Sequence, residues 1–157
     1  MKTYRLFASF VGIAASLYAI HVEMMHNEIG DEYVAECDLS ETISCSKVLT
    51  SEWAHLFSAL GVFPKDSLLD QSNAVYGLVF YVIIGVFATF ESRSDFLLAF
   101  NFFAATSGIL MSCILAYILA TILHDLCIVC VTTYFCTSFI FYDTLKEWKE
   151  VAKSKSS

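Results

Sequence analysis

The chain has 157 residues, of which 57% are hydrophobic and only 16% are charged, and its formal net charge is −7. Soluble domains usually carry about a quarter charged residues, so this composition argues against a disordered chain and against an ordinary cytosolic globule. A single proline and six glycines argue against a turn-rich sandwich. The negative net charge argues against a nucleic-acid partner.

Apolar residues form four long blocks, which cover residues 6–25, 74–90, 96–123 and 126–142. A helix needs roughly 17 to 25 such residues to cross the ~30 Å hydrocarbon core of a bilayer, and the longer third block can tilt or project beyond the lipid. The first block is too long for a removable signal, and His21 and Glu23 stand where small residues should precede cleavage. The pattern predicts an all-α integral membrane protein, a four-helix bundle whose first span is retained.

The charged residues orient these four predicted spans. Seven of the nine basic residues lie before the first span, between the second and third, or after the fourth. The insert 26–73 contains Lys47 and Lys65 but nine acidic residues. The positive-inside bias therefore predicts that both termini, including the tail 143–157, are cytosolic and that the insert is extracytosolic. The lysines near the C-terminus fit either a dilysine signal for retrieval to the endoplasmic reticulum or a basic anchor of the last span.

The insert contains a helical pattern of its own. Apolar residues recur at helical spacing over 46–60, with Ser46 as the predicted N-cap and Gly61 as the predicted C-terminal residue. An amphipathic helix of this kind lies on a membrane surface or caps a bundle. A second short helix is predicted over 66–71. The predicted organisation is therefore one membrane domain, residues 1–157, with the insert as its cap.

Six cysteines are the candidates for redox chemistry, and four of them lie on the predicted extracytosolic side. Cys37 and Cys45 are in the insert, and Cys127 and Cys130 form a Cys-x-x-Cys pair at the start of the last span. Disulfides persist in an oxidising compartment. If Asp125 caps the helix, Cys127 lies in its first turn, where unpaired N–H groups favour a thiolate. The spacing of three puts both sulfurs on one face, so that one thiol can attack and the other resolve.

Several structural interpretations remain open beside this redox interpretation. The four cysteines could form static disulfides or hold zinc, although Cys-x₇-Cys in an acidic insert is not the usual zinc spacing. Cys113 and Cys136 lie within spans, where packing is the default role. Asn73 could merely cap the second span. Tyr134 lies four residues beyond Cys130, on the same face of the helix. Its phenol can donate a hydrogen bond one helical turn deeper in the bundle.

Three segments carry a family resemblance: 36–46 (ECDLSETISCS), 66–73 (DSLLDQSN) and 127–134 (CIVCVTTY). Together they resemble the vitamin K epoxide reductase family over nearly the whole chain, and look more like its vertebrate "-like" paralogue than a bacterial member. The resemblance implies a thiol-dependent enzyme that reduces vitamin K 2,3-epoxide to the quinone and the quinone to the hydroquinone. It implies no tightly bound cofactor and no metal, because vitamin K is the substrate and redox-active disulfides carry the electrons.

The resemblance implies a role for each of the four extracytosolic cysteines. Cys130 would attack the substrate, and Cys127 would resolve the adduct. Cys45 would accept oxidising equivalents by disulfide exchange with Cys127, and Cys37 would pass them to a luminal thioredoxin-like thiol donor. The implied location is the endoplasmic reticulum membrane, with the active site at the luminal side.

The resemblance also implies a pocket for a lipid-soluble quinone that enters from the membrane lipid. Asn73 and Tyr134 would hydrogen-bond the substrate oxygens, and Asp38 would help to fasten the cap over the pocket. The implied apolar wall consists of Trp53, Tyr76, Phe80, Leu119, Leu123 and Val129. Inhibitors of the 4-hydroxycoumarin (warfarin) type are expected to bind, although Leu49 stands where the principal vertebrate enzyme has an aromatic residue.

Two other functions remain open from the sequence. The same residues could run the chemistry backwards, with quinone as the oxidant that makes disulfides in secreted proteins, because direction depends on the partners' potentials. From a different class, a disulfide-stapled structural protein with four spans would have a static Cys37–Cys45 bond and inert Cys127 and Cys130. Alkylation with and without mild reductant separates these alternatives.

Overall fold

A computed structural model describes residues 2–30, 32–40, 42–62, 64, 67, 69–89 and 95–156. Within these ranges the chain is mostly helical, and its β structure is limited to an isolated bridge between Ser40 and Ile43. The helices in chain order are α1 (Lys2–Ile29), α2 (Cys45–Leu49), a 3₁₀ turn (Glu52–His55), α3 (Leu56–Ala59), α4 (Asn73–Thr89), α5 (Asp95–Ile118), a π-helical turn (Leu119–Leu123) and α6 (Ile128–Ser156). The predicted all-α class is confirmed.

Among the described residues, three helical segments are long and apolar enough to cross a membrane: Thr3–Ile29, Asp95–Leu123 and Ile128–Ser154. Helix α4 is also apolar but has only 17 residues, the lower end of the length that a bilayer requires. The loop between α4 and α5, with Phe90 and Arg93, lies outside the described residues. These lengths and compositions fit an all-α membrane protein.

The helices approach one another through small residues. Helix α1 packs against α4 and α6, and α5 packs against α6, whereas α4 and α5 touch over a smaller area. Gly12 lets the ring of Tyr81 lie against α1, because a Cβ at Gly12 would be 2.5 Å from that ring. Ser16 of α1 similarly faces Gly77 of α4. Close packing of this kind holds helices together in lipid, where water does not drive them together.

Charged and aromatic side chains close the end of the bundle where α1 begins. The Arg5 guanidinium donates hydrogen bonds to Asp143 Oδ2 (2.9 and 2.7 Å) and to Glu147 Oε2 (2.6 Å) on α6. Arg5 is buried, so its charge needs an ion-pair partner there. On the other side of α6, Trp148 stacks on Phe102 of α5, with ring centroids 4.9 Å apart. These contacts fasten α6 to both of its neighbours.

We call the segment between α1 and α4 the cap, and its helical part differs from the prediction. Residues 46–60 form α2, the 3₁₀ turn and α3 rather than one helix. The break comes at Thr50 and Ser51, whose hydroxyls donate to the carbonyl oxygens of Ser46 and Val48, both at 2.8 Å. Such bonds compete with helical backbone pairing. The predicted helix over 66–71 includes Asp66 and Leu68, which lie outside the described residues.

The ends of this helical part are set by two residues. The N-cap of α2 is Ser44 rather than the predicted Ser46, and its hydroxyl accepts the Lys47 N–H at 3.3 Å. Ser46 instead lies inside α2, where its hydroxyl and its backbone N–H both donate to Asp38. At the other end Gly61 has a φ of +70°, and Val62 N–H donates to Phe57 O at 2.8 Å. Gly61 therefore ends α3 as predicted, in the left-handed conformation that glycine adopts most easily.

Candidate active site

A cavity of about 400 Å³ lies between the helices and below the cap. Its walls come from α1, the cap, α4, α5, the π-helical turn and the start of α6. The volume is in the range of sites that hold small molecules. All eight residues predicted to bind the substrate line it: Trp53, Asn73, Tyr76, Phe80, Leu119, Leu123, Val129 and Tyr134. Cys130 lines the same cavity, so the structure brings a thiol and the predicted pocket residues together.

The two cysteines of the Cys-x-x-Cys pair lie at the start of α6. Cys127 Sγ accepts the backbone N–H of Cys130 at 3.2 Å, and Cys127 O accepts the N–H of Val131 at 3.0 Å. Cys127 itself, rather than the predicted Asp125, is therefore the N-cap. Both thiols are free; Cys127 is fully buried and Cys130 is half-buried. A sulfur that accepts an N–H at a helix N-terminus is stabilised as a thiolate.

The backbone before α6 explains why Asp125 is not the cap. His124 follows the π-helical turn in the left-handed region, with a φ of +53°, and residues 124–127 are not helical. Asp125 is consequently two residues too early, and its carboxylate instead lies 4.0 Å from the Lys47 ammonium group of the cap. A left-handed residue other than glycine is uncommon and often marks a constrained site.

The other cysteine pair is oxidised: Cys37 and Cys45 form a disulfide within the cap. Cys45 is fully buried in the same apolar cluster as Cys127, and Cys37 and Cys130 pack against that cluster. Leu126 N–H donates to the carbonyl oxygen of Thr42 at 2.8 Å, which joins the disulfide loop to the segment before α6. The cap disulfide and the thiol pair therefore belong to one packed unit.

Asp38 holds the disulfide loop in shape. Its carboxylate accepts four hydrogen bonds, from Ala35 N–H, Ser44 Oγ–H and Ser46 N–H (each 3.0 Å) and from Ser46 Oγ–H (2.5 Å). Partial burial alone would raise the pKa of Asp38, but these donors outweigh it and hold the pKa below its ordinary value. The carboxylate also lies close enough to Cys127 to act on its charge. Asp38 thus supports the cap beside the thiols.

Asn73 and Tyr76 of α4 fasten the cap over the cavity. The Asn73 amide donates from Nδ2 to Trp53 O at 2.7 Å and accepts the Leu56 N–H at Oδ1 (3.4 Å). It therefore binds the cap rather than capping its own helix, and a primary amide still has one donor and one acceptor position to spare. The Tyr76 hydroxyl donates to Leu69 O at 2.5 Å. Both side chains line the cavity as well.

Among the cavity residues that were not predicted as part of the site, one is acidic. Glu23 of α1 lines the cavity. In the sequence this residue indicated only that the first apolar block is not a cleaved signal peptide. The signal that could have found it is an acidic residue inside an otherwise apolar span, since such residues usually have a function.

The zinc alternative would require four thiolates, whereas Cys37 and Cys45 are joined in a disulfide. Across the described ranges, the side chains of His, Cys, Asp and Glu form no group of three or more arranged to hold a metal ion.

Comparison with known proteins identifies the relatives of this chain. The family model described as "Vitamin K epoxide reductase family" matches residues 4–145. The chain is 39% identical over 132 residues to vitamin K epoxide reductase complex subunit 1 of Rattus norvegicus and 37% identical over 132 residues to that of Mus musculus. Each alignment covers 83% of this chain and 80% of the relative. The protein is thus an oxidoreductase, and the chain belongs to the vitamin K epoxide reductase family.

Proposed function

We propose that the protein reduces vitamin K 2,3-epoxide to the quinone, and the quinone to the hydroquinone, at the luminal face of the endoplasmic reticulum membrane. The observation that carries this proposal is the position of Cys130, a free thiol on the wall of a largely apolar cavity, three residues after a second free thiol. A fused-ring quinone is apolar and fits such a cavity. Both named relatives are called vitamin K epoxide reductase complex subunit 1.

Cys130 and Cys127 have separate roles in this reaction. Cys130 Sγ attacks an epoxide carbon, the C–O bond breaks, and the released oxygen gains a proton. Cys127 Sγ then attacks Cys130 Sγ; the S–C bond breaks, and the oxygen leaves as water while the quinone double bond forms. One epoxide and two thiols thereby give one quinone, one disulfide and one water. The half-buried state of Cys130 and its place on the wall support its role as the attacking thiol.

The cap disulfide supports a relay that restores the two thiols. Cys45 would exchange with Cys127, so that the reduced cap pair becomes a disulfide and the Cys127–Cys130 disulfide becomes two thiols. The arrangement found here, with Cys37–Cys45 oxidised and Cys127 and Cys130 reduced, matches the product of that exchange. Cys37 would then pass oxidising equivalents to a luminal thioredoxin-like donor, which reduces the cap pair again.

The remaining cavity residues would orient the substrate. Asn73 keeps hydrogen-bonding capacity beyond its two bonds to the cap, and Tyr134 lies on the cavity wall one turn beyond Cys130. Both could bind quinone or epoxide oxygens. A 4-hydroxycoumarin inhibitor is also a fused ring with neighbouring oxygens, and we expect it to compete for the same cavity.

The test is turnover of vitamin K epoxide by the full chain in microsomes or detergent, with dithiothreitol as reductant. We expect Cys130→Ala to abolish turnover and the matched variant Cys113→Ala to keep it, because Cys113 is exposed on α5. Cys37→Ala should keep turnover with dithiothreitol but lose it with a thioredoxin-like protein donor. Equal loss with both reductants contradicts the relay.

Two results would remove the assignment itself. A folded wild type that does not reduce the epoxide excludes the proposed reaction, and quinone-dependent oxidation of a thiol protein would then point to the reverse direction. If Cys127 and Cys130 also resist alkylation and exchange, the protein is a disulfide-stapled structural protein instead.

A further inference from the structure

Glu23 is the charged residue of the cavity. Among the described residues that line the cavity, it alone carries a side chain that is ordinarily ionised at neutral pH. It lies within the last two turns of α1 and is half-buried. An ionised carboxylate is costly in an apolar site within a membrane protein, and such residues usually have a function.

Three polar groups from different elements interact with Glu23. Cys130, at the start of α6, and His55, at the end of the 3₁₀ turn, both lie close enough to interact electrostatically with its carboxylate. Ser72, directly before α4, places a buried hydroxyl beside the carboxylate, and this hydroxyl makes no hydrogen bond of ordinary geometry. His55 is exposed at the surface, and its Nδ1 lies 3.4 Å from Asp70 Oδ1. Glu23 therefore interacts both with the Cys130 thiol and with polar groups of the cap, of which His55 reaches water.

The reaction requires a group that both accepts and donates a proton. The Cys130 thiol must lose its proton to become a good nucleophile, and the epoxide oxygen must gain one as its C–O bond breaks. The Asn73 amide is neither an acid nor a base at neutral pH, and both of its ends already bind the cap. The Tyr134 phenol can donate a hydrogen bond, but as a neutral phenol it is a poor acceptor for the thiol proton.

We propose that Glu23 is the general acid–base residue of this site, a role that rests on the proposed function above. Its carboxylate takes the proton of Cys130 as Sγ attacks the epoxide carbon, and the resulting carboxylic acid gives that proton to the released oxygen. One S–H and one C–O bond break, and one C–S and one O–H bond form, so Glu23 ends the step ionised. Cys127 supplies the second proton, which leaves with the oxygen as water. In quinone reduction Glu23 takes the Cys130 proton and gives it to one carbonyl oxygen, and the Cys127 thiol supplies the proton of the other oxygen as the Cys127–Cys130 disulfide forms.

Three variants of the full chain test this proposal with dithiothreitol as reductant. Glu23→Gln keeps the size and hydrogen-bonding capacity of the side chain but cannot carry the proton. Glu23→Asp keeps the acid. Glu28→Gln makes the same change at an exposed position on the same helix. The readouts are kcat and KM for the epoxide and the quinone, together with the pH profile of kcat.

We expect Glu23→Gln to lower kcat for the epoxide by about 10²- to 10⁴-fold, the usual range for a lost proton-transfer group, with KM changed by less than about threefold. The loss for the quinone should be smaller, because the alkoxide released from the epoxide is a stronger base than the oxyanion of a quinone adduct. Glu23→Asp should retain more activity than Glu23→Gln and should shift the pH profile. Glu28→Gln should match the wild type.

The pH profile of kcat can also depend on other ionisable groups, namely Cys130 and His55, with Asp70 beside His55. Recording it also in His55→Gln removes the imidazole contribution. If the wild type turns over and the kcat of Glu23→Gln is within about threefold of the wild-type kcat, Glu23 does not have this role. The proposed function then remains intact. If Glu23→Gln does not fold, Glu23→Asp decides: an unshifted pH profile refutes the proposal. Absence of turnover in the folded wild type refutes the proposed function instead.

Discussion

Replacement of Asp38 by asparagine would test how strongly the cap is held over the thiols. Asparagine retains one of the two carboxylate oxygens and places an NH₂ group where the other was, and an NH₂ group cannot accept a hydrogen bond. Two of the four donors therefore lose their acceptor whichever way the amide turns, since Ala35 and Ser46 Oγ bond to Oδ2 and Ser44 and Ser46 N–H bond to Oδ1.

The size of the effect follows from these two lost bonds. A hydrogen bond to a charged group contributes about 1.5–3 kcal/mol. Asp38 is only half-buried, so water can partly replace the carboxylate and the lower end of the range applies. We expect Asp38→Asn to cost about 3 kcal/mol of local cap stability, which corresponds to a roughly 100-fold more frequent opening of the disulfide loop.

Maleimide labelling of Cys127 in detergent micelles, resolved by peptide mass spectrometry, measures this opening because Cys127 is fully buried when the cap is closed. We expect labelling to be roughly 100-fold faster in Asp38→Asn. The control is Glu36→Gln, which changes an exposed acid directly before the disulfide loop. Labelling of Asp38→Asn at the rate of the control would refute the role given to Asp38.

The lowered pKa of Asp38 adds a pH dependence with a definite sign. Because the folded-state pKa lies below the unfolded value of about 3.9, the carboxylate stabilises the closed cap fully above that value. The stabilisation is lost as the pH falls through the lower, folded-state pKa. Labelling of wild-type Cys127 should therefore rise as the pH falls below about 4, relative to a buried thiol far from the cap such as Cys136. Asp38→Asn should lack this acid transition.

Two further predictions concern the helix bundle. In detergent, Gly12→Ala should be less stable than Gly85→Ala by about 1–3 kcal/mol of unfolding free energy and should melt at a lower temperature. A Cβ at Gly12 would lie 2.5 Å from the Tyr81 ring, whereas one at Gly85 would have only ordinary contacts from 3.4 Å. Equal melting temperatures of the two variants would contradict this packing. Arg5→Met leaves two carboxylates on α6 without their partner. Since Glu147 has 40% of its side chain exposed, we expect a loss of about 2–3 kcal/mol, and an unchanged melting temperature would contradict the pairing.

The sequence could predict the residues of the site better than the contacts that hold them. Hydropathy and the Cys-x-x-Cys spacing are local signals, and they predicted the all-α fold and the thiol pair at the start of a helix. Residues such as Trp53, Phe80 and Leu119 come from three different elements, and their predicted place on one wall depended on family resemblance because no local spacing links them. The structure places them around one cavity, while their roles in binding remain predictions.

The errors arose where tertiary hydrogen bonds decide local structure. Ser46 is a good cap by residue type, but Asp38 engages its hydroxyl and backbone N–H, and Ser44 takes the capping position. Asp125 is likewise a good cap by type, yet the left-handed turn at His124 delays the helix by two residues. Glu23 was passed over for a different reason: an acidic residue inside an otherwise apolar span is a signal in the sequence, but the sequence does not show that its side chain lies on the cavity wall.

In the proposed reaction, Cys130 is the thiol that attacks the substrate. Cys127→Ser should remove the resolving thiol, so that incubation with vitamin K epoxide stops at the covalent adduct. Mass spectrometry of that variant should then show an increase equal to the mass of the epoxide, located on the peptide that contains Cys130 and absent from that of Cys113. An adduct on another cysteine, or an unmodified Cys127→Ser protein under conditions in which the wild type turns over, would contradict this role of Cys130.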